Sequence, residues 1–559
     1  MILNGSQIIL ECLLEQGVDT VFGFPGGAVL NIYDALYDYS DKITHILTSH
    51  EQNACHAADG YARTTGKTGV VIATSGPGAT NLVTGIATAY MDSIPLVAIT
   101  GNVATNLLGL DSFQEVDITG ITMPITKHNY IVKNVHDLAD VIREAFFIAN
   151  DGRKGPVLID IPKDITAAKC IFERQPVRGH SFSVDSNEVI KAAEVINSAE
   201  KPFIYVGGGA VLSDAVPQVK KLAELVDAPV SLSLMGQCAF DNTDERYTGM
   251  LGMHGTKTSA QALINCDVMI VIGSRFSDRV TCNADSFKNN IQKARLVQIE
   301  IDPAEINKNI DVDVHISGDV GFVISELLKH LTPKKHPEWM AQIAEWKNKY
   351  PVGQYSSNPE AVLPQDVIGT LCELTDGKAI ISTEVGQHQM WTAEFYDFKA
   401  GRRFATSGGL GTMGYGLGAA IGCKIGNPDA TVVNIAGDGS FYMNLTELST
   451  LAKYDLPVIE LVLNNSVLGM VRQWQRMFYN GHFSQTTLEK PTNFEMLAKA
   501  FGVEGMTIAK KDDIRPVLEK ALGCGRPVLI NCIIDKDINV LPMVPAGASV
   551  AEPILDIDT

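Results

Sequence analysis

The chain is 559 residues long, 45% hydrophobic and 19% charged, with a formal net charge of −19. Its length exceeds what one hydrophobic core supports and points to three domains of ordinary size. The acidic balance argues against nucleic acid or an anionic membrane surface as partner, although local basic residues can still set the field of a pocket for an anionic substrate.

The opening run MILNGSQIILECLLEQGV reads as an amphipathic helix entering a domain at once, not as a secretory leader or an arginine-rich transit segment. No apolar run is long enough to span a bilayer. The ten cysteines are scattered and none stands in a CxxC pair, so the sequence offers no zinc or redox motif and reads as a reduced, cytoplasmic protein.

Residues 1–175 form the first expected domain. A helix over about Gly5 to Gln16 leads to a strand at Thr20 to Gly23, and Pro25-Gly26-Gly27-Ala28 turns the chain into a second helix. A strand over Ile43 to Thr48 runs into Ser49-His50-Glu51 and another helix. The strand Thr68 to Thr74 ends in Ser75-Gly76-Pro77-Gly78, the strand Pro95 to Thr100 follows, and VLIDIPKDI closes the domain with a strand. Strands alternating with helices predict a doubly wound parallel sheet, with functional groups at strand C-termini. Glu51 lies at such an end. Taken alone it is more readily a helix cap or a surface acid; between apolar segments its carboxyl is expected to be desolvated and its pKa raised.

A polar linker, Ser181 to Asn187, leads to a second α/β domain at 187–331, in which PFIYVGGGAV, APVSLSL, DVMIVIGSRF and ARLVQIEIDP are the strands. Gly207-Gly208-Gly209 follow a strand as a nucleotide-binding turn would. Leu212 stands where the GxGxxG pattern has its third glycine, so a plain packed turn is an equal reading.

A helix, HPEWMAQIAEWKNKY, and a Pro/Ser/Asn-rich connection lead to the third domain, 361–539. The strand Ala379 to Ser382 ends in Glu384-Val385-Gly386-Gln387-His388, and SGGLGTMGYGLGAAIG reads as a loop entering a closely packed helix. The strand Thr431 to Ala436 ends in Gly437-Asp438-Gly439-Ser440. A helix follows, then the strand Val458 to Leu463 and Asn464-Asn465. A right-handed crossover puts both strand ends on one sheet edge, so Asp438 and Asn465 converge. A carboxylate and a carboxamide oxygen suit Mg²⁺; the glycines admit a phosphate, and the helix N-terminus favours an anion. A bare GDG is equally an ordinary capped turn; the Asn pair directly after the next strand makes the pattern specific. The tail 540–559, rich in Pro, Gly and Ala, reads as a mobile flap.

GDG, a spacer of about two dozen residues, then NN resembles the signature of thiamine diphosphate enzymes. The runs GFPGGAV, SHEQNA, ATSGPGATNLVTGIATAYMDSIPLVAITG and FQEVDITGITMPITKHN, with GMHG and RFSDR further on, resemble the biosynthetic acetolactate synthase catalytic subunits. The match runs from about Gly5 to the C-terminus. It implies three domains that bind the aminopyrimidine ring, FAD and the diphosphate, with thiamine diphosphate, Mg²⁺ and FAD as cofactors. It implies decarboxylation of pyruvate and transfer of the two-carbon unit to a second pyruvate or to 2-ketobutyrate, for valine, leucine and isoleucine synthesis. A homodimer or homotetramer with a small regulatory subunit is implied as well.

The resemblance also assigns residues. Glu51 activates the cofactor, Gly27 and Ala28 lie beside the reacting carbon, and Phe113, Gln114 and Lys127 line the substrate channel. Pro25, Ser75, Gly76, Val385, Gly386, Gln387, His388, Gly411, Met413, Gly437, Asp438, Gly439, Ser440, Asn465 and Met470 hold thiamine diphosphate, with Met413 bending it. Val467 joins Asp438 and Asn465 at the metal. Arg153, Gly207, Gly208, Gly209, Met253, His254, Gly255, Gly273, Arg275, Arg279, Asp302 and Asp319 bind FAD. Met253 and Arg279 also shape the entrance for the second substrate, and Trp474 favours 2-ketobutyrate there. Ser277 departs from the family pattern, which more often has Asp; both neighbouring arginines remain. Pyruvate oxidase is an alternative within the same fold, against which the FQE, RFSDR and RQWQ runs speak. Glu51 speaks against a glyoxylate carboligase. A nucleotide-binding protein without catalysis is the alternative from another class, and the set of Glu51, Asp438 and Asn465 speaks against it.

Overall fold

Three six-stranded sheets, parallel throughout, organise the chain in a computed structural model that describes residues 1–353, 360–489 and 491–556. Residues 354–359 of the expected connection and the last three of the tail lie outside the described residues. Numbered within its own domain, each of the first and third sheets has the strand order 2-1-3-4-6-5, whereas the middle sheet runs 3-2-1-4-5-6. The inner strands are near-continuous apolar runs, as sheets covered by helices on both faces require: Gly69–Ala73, Leu96–Asn102, Val268–Ile272 and Val458–Asn464 are buried along almost their whole length.

Each sheet has a point where the strand order reverses, and there the chain leaves two neighbouring strands in opposite directions and opens a crevice. In the first domain it lies between Thr20–Phe24 and Gly69–Ala73, in the second between Pro202–Val206 and Val268–Ile272, and in the third between Ile380–Thr383 and Val432–Gly437. The glycine turns that the sequence singles out sit at these three places.

Of the six outer strands, Thr44–Leu47 alone was legible. The other five, His128–Ile131, Tyr247–Met250, Val314–Ser317, Phe404–Ala405 and Glu504–Ile508, are short; four of them mix buried with half-buried or exposed residues, and His128–Ile131 has no buried residue. Pairing with an inner neighbour defines them rather than a hydrophobic pattern of their own. Ile2–Asn4 and Lys169–Ile171 add a small antiparallel ribbon that joins the two ends of the first domain.

The first and third domains share one core. Helix Glu51–Thr65 lies against helix Gly416–Gly426, and the closest approaches run between Asn53, His56, Ala57, Gly60 and Tyr61 of the first and Gly418, Ala419 and Gly422 of the second. A methyl group on Gly60 would run into the carbonyl of Ala419, and one on Gly422 into that of Ala57. Small residues therefore bring the two helix backbones into direct contact. The C-terminal tail is not a free flap. Val540, Met543, Val544 and Val550 are buried, and the Val544 N–H donates to Met253 O at 2.7 Å. Its prolines and glycines shape a docked strap whose apolar side chains fill the body.

Candidate active site

The third sheet builds an anion cradle. Gly437 stands opposite Leu463 in the ladder, so Asp438 and Asn465 leave the sheet at adjacent strand ends. Asp438 and Ser440 are buried in the first turn of helix Asp438–Asn444, with Gly439 between them. Asn465 Oδ1 accepts the Val467 N–H at 3.2 Å. On the neighbouring strand end, Val385-Gly386 turn the chain into helix Gln387–Phe395. Here two buried polar atoms have no partner, Gln387 Oε1 and His388 Nε2. A Cβ on Gly437 would lie 2.8 Å from His388 Nδ1, so only a bare backbone fits beside that ring. Burial pushes His388 down to about 3 and keeps it neutral. Orphaned buried polar atoms beside glycine backbone at two helix N-termini fit a diphosphate. Asp438, Asn465 and the Val467 carbonyl are hard oxygen donors of the kind Mg²⁺ takes together with phosphate oxygens. Among the described residues no cluster of three or more His, Cys, Asp or Glu could hold a metal by itself.

A cavity of about 840 Å³ opens from this cradle toward the middle domain. Arg153, Gly207, Gly208, Gly209, Met253, His254, Gly273, Arg275, Arg279 and Asp319 line one part of it; Val385, Gly386, Gly411, Met470 and Trp474 line another. Gly207 abuts the backbone of Gly273 so closely that any Cβ would collide with the Gly273 carbonyl, and the two strand ends are tied backbone to backbone, with Gly209 N–H donating to Gly273 O at 3.1 Å. Arg275 is half-buried, and its Nη2 donates to Met91 O at 3.1 Å. Burial, reinforced by Arg279, pushes His254 down to about 4, and its Nε2 is another buried atom without a partner. Cationic side chains, a bare glycine turn and an unsatisfied imidazole fit a dinucleotide such as FAD. Gly255 and Asp302 are not on the wall. Asp302 and Glu305 instead pair with Arg153 at 3.5 and 3.0 Å and hold its guanidinium at the rim.

The edge of the first sheet gathers a different set. Glu51 begins its helix, half-buried, and its Oε2 accepts the Asn81 amide at 2.9 Å. Ala28 N–H donates to Thr74 Oγ1 at 3.2 Å, which ties the Pro25–Ala28 turn to the strand end before Ser75. Gly76 has φ +60° and packs against Gln114, whose own φ is +60°. Pro25, Gly27, Ala28, Glu51, Ser75, Gly76 and Gln114 thus belong to one edge, and none of them lines the cavity described above. Phe113 beside them is 88% exposed. Lys127 turns away from this edge: its amine donates to the carbonyls of Ile148 and Asp151, and burial lowers it to about 8. Met413 is half-buried and off the cavity wall.

Several buried side chains behind these groups escaped sequence reading. Glu384 accepts Gly414 N–H at 2.6 Å, Gly416 N–H at 2.8 Å, Leu417 N–H at 3.3 Å and the Asn444 amide at 2.5 Å. It therefore pins the loop that carries Gly411 and Met413. Asp92 receives Gly409 N–H at 2.7 Å and Arg63 at 2.8 Å on the same loop's other flank. An acid at the end of an apolar strand or helix was the available signal, and Glu384 carried it; its partners come from distant segments that no local pattern connects.

Family models for thiamine pyrophosphate enzymes match all three domains: the N-terminal TPP binding domain over residues 3–121, the central domain over 189–327 and the C-terminal TPP binding domain over 384–532. The chain is 43% identical to the acetolactate synthase large subunit of Pyropia yezoensis over 99% of its own length and 95% of that protein. It is 43% identical to the acetolactate synthase isozyme 3 large subunit of Escherichia coli, with 98% of each covered. It is 45% identical to the acetolactate synthase of Mycobacterium bovis over 98% of its length and 90% of the relative. With the diphosphate cradle, the nucleotide-sized cavity and this full-length likeness in agreement, the chain belongs to the acetolactate synthase large subunits of the thiamine pyrophosphate enzyme family.

Proposed function

We propose that the protein decarboxylates pyruvate and joins the two-carbon unit to a second 2-keto acid, giving 2-acetolactate from pyruvate and 2-aceto-2-hydroxybutyrate from 2-ketobutyrate. The observation that carries this reading is one cavity wall. It sets the cradle residues Val385, Gly386 and Gly411 beside Met253, Arg279 and Trp474, so an activated carbon and a keto-acid acceptor fit one space. Thiamine diphosphate supplies the electron sink for decarboxylation when bound. His388, Gln387 and the amides after Gly437 bind its diphosphate; Asp438, Asn465 and the Val467 carbonyl hold Mg²⁺. Glu51 holds or releases a proton at Oε1 while Asn81 fixes Oε2. Arg279 sits at the mouth with its Nη1 on Met253 Sδ at 2.9 Å and offers a cation for the acceptor carboxylate. The apolar faces of Met253, Met470 and Trp474 exclude water. Arg153, Arg275, His254, Asp319 and the Gly207–Gly209 turn bind FAD, which the carbon–carbon bond formation leaves unchanged in oxidation state.

In this reading the site is completed by a second copy of the chain, because no residue of the Glu51 edge lines the cavity within one copy. A homodimer places the Glu51 edge of each copy over the cavity of the other, and Phe113 at 88%, Met123 at 68% and Leu110 at 65% exposure supply apolar surface beside that edge. A small regulatory subunit belongs to the same family reading. All ten cysteines are unpaired, which supports a cytoplasmic setting; among the described residues no helix is long and apolar enough to cross a membrane.

The test is product identification from purified protein given pyruvate, with and without 2-ketobutyrate. Both acetohydroxy acids are expected. Glu51→Gln should slow turnover by roughly a hundredfold or more with thiamine diphosphate still bound. Acetate or acetyl phosphate as the main product would instead favour the oxidase reading.

A further inference from the structure

The turn that delivers Glu51 is held from outside its own domain. Glu447, in the third domain just after the Asp438–Asn444 helix, is fully buried. Its Oε1 accepts Ser49 N–H at 3.0 Å and His50 N–H at 3.1 Å, and its Oε2 accepts Ser49 N–H at 3.1 Å and the Thr450 hydroxyl at 2.6 Å. These are the two amides immediately before Glu51. The surrounding segment adds further ties: Leu47 N–H donates to Tyr454 OH at 2.8 Å, the Ser49 hydroxyl donates to Thr446 O at 3.1 Å, and the Ser49 and Ser449 hydroxyls lie 2.6 Å apart.

A carboxylate shut away from water is costly unless its charge is answered. Here the answer comes from two amides at the start of helix Glu51–Thr65, where the helix dipole also favours negative charge. Such a grip fixes two successive peptide planes and with them the direction in which the next residue leaves the turn. Glu51 has one oxygen tied to Asn81 and works through the other, so a small rotation of the turn carries that oxygen off its target. Misplacement of a reacting group by about 1 Å costs on the order of a hundredfold.

We propose that Glu447 is a positioning residue for Glu51: by gripping the Ser49 and His50 amides it sets where the Glu51 carboxyl points. This rests on the reading of Glu51 as the proton-transfer group. It also makes the third domain of a chain responsible for aiming the acid of its first domain. Since Glu447 follows the helix that starts at Asp438 by a few residues, the same short segment serves the cradle of one site and the acid of another.

The test is hydrogen–deuterium exchange at C2 of thiamine diphosphate bound to the holoenzyme, in wild type, Glu51→Gln, Glu447→Gln and the double variant. Glu447→Gln keeps one oxygen for the two N–H groups but removes the charge and sets an amide donor in place of Oε2, against the Ser49 N–H. It is expected to slow exchange tenfold or more while cofactor affinity, read by calorimetry, stays within about twofold. Because Glu447 acts through Glu51, the double variant should exchange no more slowly than Glu51→Gln alone. Thr450→Val and Tyr454→Phe, each removing one tie, serve if Glu447→Gln does not fold, and each should slow exchange severalfold. Wild-type exchange in Glu447→Gln, or in both substitutes, overturns the positioning role while leaving Glu51 intact as the acid. Multiplying losses in the double variant overturn it too. Wild-type exchange in Glu51→Gln overturns the underlying reading instead.

Discussion

Trp474 illustrates what a single side chain contributes here. It lies on helix Gly469–Phe478, lines the cavity with Met253, Arg279 and Met470, and is braced edge-on by Phe478 with ring centroids 5.5 Å apart. The two acceptors differ by one methylene, which an apolar contact resolves by about 1–3 kcal/mol, or roughly ten- to two-hundredfold. Trp474→Leu is therefore expected to erase most of any preference for 2-ketobutyrate while decarboxylation continues. A competition between the two acceptors, scored by product ratio, checks this; an unchanged ratio assigns the indole to packing. At this scale the sequence was legible where a residue type and a turn coincide. Asp438, Asn465 and Glu51 stand at strand ends where function belongs, and they do so in the structure. The contacts of Lys127 were not legible, since its amine meets backbone carbonyls from segments more than twenty residues away. Glu447 and Asp92 were missed for the same reason: an acid in a helix looks solvated until the chain that covers it is known.

Helix Gly416–Gly426 shows how an element can depend on a residue outside it. Its first turn leaves amide groups without intrahelical partners, and no side chain of its own caps it. Glu384, from the end of a neighbouring strand, receives Gly414, Gly416 and Leu417 N–H together, and its charge opposes the helix dipole favourably. Glu384→Ala leaves three amides and the Asn444 side chain short of an acceptor. At roughly 1–3 kcal/mol for each buried unsatisfied group, partly relieved by water entry, a loss of about 3 kcal/mol or more is expected. Denaturant unfolding measures it, and a loss under about 1 kcal/mol would show that the helix start holds itself. Calorimetry should find thiamine diphosphate binding weakened in parallel, because the Gly411–Met413 loop hangs from the same amides. The helix itself was readable from its glycines and alanines; its cap was not, since strand and helix lie some thirty residues apart.

Across the whole molecule, alternating strands and helices made three α/β units readable, and the full covering of each sheet explains why its inner strands appear as plain apolar runs. Strand order was not readable, because one short apolar strand looks like another and only pairing distinguishes them. The separation of the Glu51 edge from the cavity makes a prediction at this scale. Glu51→Gln and Asp438→Ala proteins, each nearly inactive alone, should regain about a quarter of wild-type activity when unfolded and refolded together as a statistical mixture of dimers, since half the dimers then carry one intact site. No recovery would mean that each chain builds its site alone. The contact between helices Glu51–Thr65 and Gly416–Gly426 has a consequence in time. Its tightest points are Gly60 on Ala419 and Gly422 on Ala57, and roughly 350 residues of synthesis separate the two helices. At roughly 5–20 residues per second, the first helix waits about 20–70 s for its partner to emerge. During that interval the nascent first domain exposes the face around Ala57 and Gly60 that the later helix covers, which gives a chaperone on the ribosome a surface to shield.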